Sequence, residues 1–158
     1  MGNADRAQGL HRLRIGRRSL ANQIYHVTTV TKGRRQLFDD LVSGRGVVLT
    51  LIRIQASGLA DTLAFVVMPD HLHWLLQLGQ DRDLSKTVGS MKSESSRRIR
   101  RDQPTVTRVW QRGFYERALR RDDDLVKVAR YIVANPLRAG LVERLGDYPL
   151  WYSRWLES

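Results

Sequence analysis

The stretch DTLAFVVMPDHLHWLLQLG, residues 61–79, constrains the fold of this chain more than any other. Two apolar segments rich in β-branched and aromatic residues flank a Pro69-Asp70 break, and a proline followed by an acid is turn chemistry. Residues 61–68 and 71–79 therefore read as the two antiparallel strands of a hairpin. On the second strand, alternation assigns Leu72, Trp74, Leu76 and Leu78 to one face and His71, His73, Leu75 and Gln77 to the other. The uniformly apolar set must face a hydrophobic layer. The two histidines are then expected on the open face of the sheet, with α-carbons about 7 Å apart by strand rise.

The remaining elements follow from period and punctuation. IYHVTTVT (24–31) alternates as a first strand, and KGRRQLF is its basic exit turn. From Leu41 to Ile54 apolar residues are dense; Gly44 and Gly46 weaken a helix there, but a strand of that length is unusual, so a helix is expected. Leu84, Val88, Met91 and Ile99 recur at helical spacing among basic residues, which predicts an amphipathic helix over 84–101. TRVWQRGFYERALR (107–120) reads as a strand leading into a turn. RDDDLVKVARYIVANP (121–136) opens with acids and closes at a proline, as a helix should. The order strand, helix, strand, strand, helix, strand predicts an α+β, ferredoxin-like antiparallel sheet with helices on one face, plus an additional C-terminal helix.

Length and composition bound the rest. With 158 residues and 42% apolar content, one domain over 21–158 can form a core behind a basic arm over 1–20, where Arg6, Arg12, Arg14, Arg17 and Arg18 face Asp5 alone. No apolar run approaches the roughly 20 residues of a membrane span, and residues 1–20 lack the apolar stretch of a secretory signal, so a soluble, cytoplasmic protein without a membrane partner is expected. The absence of cysteine excludes disulfides and thiolate metal sites, leaving histidine, carboxylate and amide donors. A net charge of +11 favours a polyanionic partner, first of all nucleic acid. Candidate phosphate contacts are the arm together with Arg34, Arg35, Arg97, Arg98, Arg100, Arg101 and Arg112. Trp110, Phe114 and Tyr115 are candidates for base stacking, with core packing the competing role for Trp110 and Phe114.

Four histidines occur, and three of them have two readings. His71 and His73 can converge on a divalent ion or form a hydrogen-bonded structural pair. Asp70 is a third ligand or a turn acid. His26, on the first strand, reaches the same face or is an ordinary packed histidine; His11, in the arm, carries no argument. On the helix after residue 124, Leu125, Val128, Ala129, Ile132 and Val133 form an apolar stripe, with Lys127, Tyr131 and Asn135 spaced i, i+4, i+8 along its edge. From there Tyr131 presents its hydroxyl to a cleft or merely packs its ring at a boundary. Asn135 joins it or ends the helix before Pro136. Lys127 offsets developing negative charge or is a solvated lysine.

VVMPDHLHWLLQ (66–77) together with VWQRGFYERALRRDDDLVKVARYIVANPLRAGLV (109–142) resembles the REP-associated tyrosine transposases, relatives of the single-tyrosine transposases of the smallest bacterial insertion sequences. The likeness runs from about Tyr25 to Tyr148 and includes YHVT and GDYP. The resemblance implies that His71 and His73 form a histidine–hydrophobic–histidine (HUH) motif binding Mg²⁺ or Mn²⁺, and that Tyr131 is the nucleophile. It further implies Asn135 as third metal ligand, at a position where the insertion-sequence relatives carry glutamine. The implied activity is metal-dependent cleavage and rejoining of single-stranded DNA near hairpin repeats, through a 5′-phosphotyrosine. Tyr115 lies outside the YIxxNP context and is the second choice. Two other functions compete: a non-catalytic nucleic-acid-binding module of ferredoxin-like fold, and a metal-dependent nuclease that uses water. No obligate protein partner is evident, and monomer and homodimer both stand open.

Overall fold

The computed structural model describes residues 22–120 and 123–156. The basic arm expected over 1–20 lies outside them, with Arg12, Arg14, Arg17 and Arg18. Strand β1 spans Ile24–Val30, helix α1 Leu41–Ser57, β2 Ala60–Met68, β3 His71–Leu78, α2 Leu84–Asp102, β4 Tyr115–Ala118, α3 Leu125–Val133, the short α4 Asn135–Arg138 and β5 Trp151–Ser153. The sheet order is β4-β1-β3-β2-β5, with every neighbouring pair antiparallel. The first four strands and two helices reproduce the expected ferredoxin-like arrangement. Strand β5, at the edge beside β2, was not legible in the sequence: three residues are too few to show a period.

Each long helix begins where an aspartate can accept from its first turn. Asp40 accepts from Val42 N (3.0 Å), Asp83 from Lys86 N (2.9 Å) and Asp124 from Lys127 N (3.1 Å). Helix α1 tolerates two glycines for packing reasons. A Cβ at Gly44 would collide with the Leu150 side chain, and one at Gly46 would press on Ile99 of α2 at 3.4 Å.

Helices α1 and α2 cover one face of the sheet. Val27, Phe65, Val67, Leu72, Trp74, Leu76 and Leu78 meet Val47, Leu51, Ile54, Leu84, Val88, Met91 and Ile99 in the main core. Trp110 belongs to it as well, its ring tilted against Phe38 and its indole N–H donating to Ser95 Oγ at 3.0 Å, and Phe114 packs against it. The strand expected over 107–120 is interrupted: Trp110 forms an isolated bridge with Thr31, and regular pairing starts only at Tyr115.

The opposite face differs from the sequence expectation. It is not open: α3 lies across it and buries Leu63, Ala64, Val66, Met68 and Leu75 against Ala129 and Ile132. A β-bulge makes this cover possible. Thr62 pairs with Leu76 and Ala64 with Leu75, so Leu63 is the extra residue, and both Leu63 and Ala64 turn toward α3. His71 and His73 lie outside this second core, beside its members Met68 and Val66, with which they pair.

Candidate active site

The hairpin turn at Pro69-Asp70 starts β3 at His71 and so places both histidines on the face that α3 partly covers, beside Met68 and Val66 of β2. They line a cleft of about 820 Å³ together with His26 and Thr28 of β1, Tyr115 and Arg117 of β4, Arg34, and Asp123, Asp124, Lys127 and Tyr131 from the start and edge of α3. Strand register explains the β1 contribution. Thr28 stands directly opposite His73, and His26 is its diagonal neighbour on the same face.

The histidines are tied to one another and to the turn. His26 Nε2 lies 3.0 Å from His73 Nδ1, and Thr28 Oγ1 lies 3.1 Å from the same nitrogen. The His71 ring meets the His73 ring edge-on at 4.9 Å between centroids. His71 Nδ1 donates to Asp70 Oδ1 at 2.6 Å, and Arg34 donates to the other oxygen of that carboxylate at 3.4 Å. Burial raises the cost of ionising Asp70, but the hydrogen bond and charge of His71, with Arg34, outweigh it and hold the carboxyl below its ordinary range. Burial pushes His73 down to about 3, helped by the charges of His26, His71 and Arg138, and pushes His26 down to about 4, helped by Arg117. Both rings are neutral at physiological pH, the form in which imidazole offers a lone pair.

That donor set fits a divalent cation. A metal-binding histidine usually has its other nitrogen fixed by a carboxylate or similar partner, which is what Asp70 does for His71 and the His26–Thr28 pair does for His73. The Nε2 atoms of both rings remain to serve as ligands. Among the described residues, no group of three or more histidine, aspartate or glutamate side chains is placed to hold a metal ion.

Tyr131 is 62% exposed at the cleft edge, as its position on the edge of the apolar stripe predicts. Arg138, which sequence reasoning missed, stacks its guanidinium 3.9 Å above the Tyr131 ring and donates to the Tyr131 carbonyl at 2.7 Å. The break between α3 and α4 brings it there. Pro136 has no N–H to give the Ile132 carbonyl four residues back; the Asn135 side-chain amide donates to that carbonyl instead, at 2.7 Å. Asn135 does not line the cleft with Tyr131, and its nitrogen is spent on closing the helix.

The other predicted basic residues are dispersed. Arg35, Arg97, Arg100, Arg101 and Arg112 are exposed and outside the cleft; Arg98 is half-buried on α2, across the sheet from the histidines. Arg34, Arg117 and Lys127 supply the cations within it. Among the described residues, no helix is long and apolar enough to cross a membrane.

Fold and site together define a class: a ferredoxin-like domain whose sheet carries a histidine cluster facing a tyrosine on an added helix. Residues 19–135 match the family described as Transposase IS200 like, and the chain belongs to that family. A Haemophilus influenzae protein assigned as a REP-associated tyrosine transposase is 31% identical over 99 residues, covering 56% of this chain and 56% of that protein. The REP-associated tyrosine transposase of Escherichia coli is 29% identical over 101 residues, covering 63% of this chain and 58% of the relative. The chain thus spans less than two thirds of the length of either. A solved REP-associated tyrosine transposase bound to a REP hairpin shares the fold, with a TM-score of 0.69 at 23% identity over 85% of this chain and 79% of that one.

Proposed function

We propose that this protein cleaves and rejoins single-stranded DNA through a covalent phosphotyrosine, with Tyr131 as nucleophile. One observation carries the reading: Tyr131 of α3 and His71 and His73 of β3 line the same cleft. Tyr131 Oη attacks the phosphorus of a phosphodiester, its proton passes to solvent, and the 3′-oxygen leaves and takes up a proton. The products are a 5′-phosphotyrosine and a free 3′-hydroxyl. Because one phosphodiester replaces another, the 3′-hydroxyl of a second strand reverses the step without ATP.

A phenol with a pKa near 10 is about one part in a thousand ionised at neutral pH, so the step depends on charge placed around the phosphate. His71 and His73 would hold a divalent ion, Mg²⁺ or Mn²⁺, through Nε2, and such an ion would supply polarisation of the phosphate and charge to offset its growing negative charge. Asn135 has only its amide oxygen left to offer as a third ligand. Arg138, stacked on the nucleophile's ring, and Lys127, one turn before it at the cleft, add positive charge around the nucleophile. Arg34 and Arg117 at the cleft and the arginines of the 1–20 arm hold the strand by its phosphates, ahead of a single catalytic domain over 21–158. The REP hairpin bound by the solved relative supports hairpin-bearing single strands as the substrate, met in the bacterial cytoplasm.

Purified protein with Mg²⁺ or Mn²⁺ is expected to form a denaturant-stable adduct on a hairpin-bearing oligonucleotide, and Tyr131→Phe to form none while melting like the wild type. An adduct surviving in Tyr131→Phe removes the assignment. Cleavage without any adduct identifies a water-using nuclease, and binding without cleavage under either metal identifies a binding module.

A further inference from the structure

We infer that His26 is a positioning residue: it holds His73 in the tautomer that carries its proton on Nδ1, and so keeps His73 Nε2 available to a divalent cation. The inference rests on the reading of His71 and His73 as ligands, and it concerns how one of them is kept competent.

The two histidines of β3 are supported in different ways. His71 Nδ1 faces the Asp70 carboxylate at 2.6 Å. An ionised carboxylate only accepts, so the neutral His71 ring carries its proton on Nδ1 and leaves the lone pair on Nε2. Among the described residues, His73 has no carboxylate partner. Its Nδ1 meets Thr28 Oγ1 at 3.1 Å and His26 Nε2 at 3.0 Å. A hydroxyl both donates and accepts, so Thr28 alone does not select a tautomer. His26 Nε2 does select one when its own proton lies on Nδ1: it then only accepts, and His73 must donate from Nδ1. The opposite arrangement would put the His73 proton on Nε2 and leave that atom no lone pair.

Strand geometry makes the contact robust. His26 lies opposite Leu75 on β1 and therefore on the same face as His73, one diagonal step away. Its ring centroid is 5.1 Å from that of His73, tilted by 45°. Leu75 is fully buried, which anchors the strand segment that sets this spacing.

Nitrogen-15 histidine spectra of the metal-free full chain test the tautomer directly, and with four histidines in the chain assignment is tractable. His73 is expected protonated on Nδ1 and bare on Nε2; the reverse tautomer overturns the inference. Titration with Mn²⁺ alone, followed by electron paramagnetic resonance, tests the consequence. The variant His26→Leu/Thr28→Val, which removes both acceptors, is expected to bind Mn²⁺ roughly 10–100-fold more weakly. His26→Gln, which restores an acceptor oxygen, is expected within a few-fold of wild type. Wild-type Mn²⁺ affinity in a folded His26→Leu/Thr28→Val protein overturns the inference and leaves the ligand reading intact. Mn²⁺ binding that persists undiminished in His71→Ala/His73→Ala removes the ligand reading itself, and the inference with it.

Discussion

His73 and Trp74 are neighbours on β3, yet their side chains lie on opposite faces of the sheet in surroundings that differ in kind. Trp74 is fully buried among aliphatic side chains of α1, α2 and the adjoining strands, and its one polar atom donates to Thr62 Oγ1 at 3.0 Å. His73 is surrounded by polar atoms: His26, Thr28, the His71 ring and the cleft. Area and volume govern the first environment, and any side chain of similar shape serves it tolerably. Atom identity governs the second, where a shift of one proton between ring nitrogens decides which of them carries a lone pair. A single strand serves both because alternation keeps the two sets of side chains from meeting.

Substitutions at the two positions should separate these roles. Trp74→Ala is expected to cost about 3–5 kcal/mol in denaturant unfolding, since the cavity cannot collapse between two helices and a sheet. His73→Ala should keep a cooperative unfolding transition and lower adduct formation on hairpin DNA by about a hundredfold or more, measured at saturating Mn²⁺. If His73→Ala unfolds the domain as Trp74→Ala does, the two faces are not functionally distinct.

Leu75 sharpens the contrast because it shares a face with His73 but belongs to the second core. It is fully buried with Ala129 and Ile132 of α3. Leu75→Ala is expected to cost about 2–5 kcal/mol. It should also depress the adduct rate, because the helix carrying Tyr131 loses its seat. An unchanged single-turnover rate in this variant, at a temperature where it is folded, would show that α3 is positioned by something else.

A smaller effect is expected on the main-core face at Gly44, where an added Cβ would meet Leu150. Gly44→Ala should lose roughly 1–3 kcal/mol through overpacking despite alanine's better helix propensity, and leave adduct formation unaltered. A stabilised variant would mean that Leu150 yields freely.

The smallest expected effect is at Tyr148, which packs against both cores and whose hydroxyl donates to the Val67 carbonyl at 2.5 Å. Burial, with the charge of Asp39 behind it, pushes its pKa up to about 12. A group raised in the folded state contributes stability that is complete below its ordinary value near 10 and is lost as pH rises through about 12. Absorbance titration should show a late tyrosinate step that is missing in Tyr148→Phe, and alkaline unfolding of that variant should depend less on pH between those values.

Much of this architecture was legible because its signals are local. The Pro69-Asp70 break, the acids that open the helix over 121–136, and the alternation of Leu72, Trp74, Leu76 and Leu78 each act within a few residues. The sequence by itself determined the ferredoxin-like order of elements, the shared face of His71 and His73, and the edge position of Tyr131 on its helix. It did not reveal that this face is half covered, because the bulge at Leu63 breaks the very alternation from which a face is read. It left open whether His26 reaches that face or packs as an ordinary histidine, and it did not reveal Arg138. The first reaches His73 across 47 positions through strand register, and the second returns to Tyr131 only because the helix restarts at Pro136. Whether the histidines and the tyrosine meet was decided by tertiary structure alone: α3 docks across the sheet by burying Ala129 and Ile132 on Leu75, and that packing brings Tyr131 to the cleft.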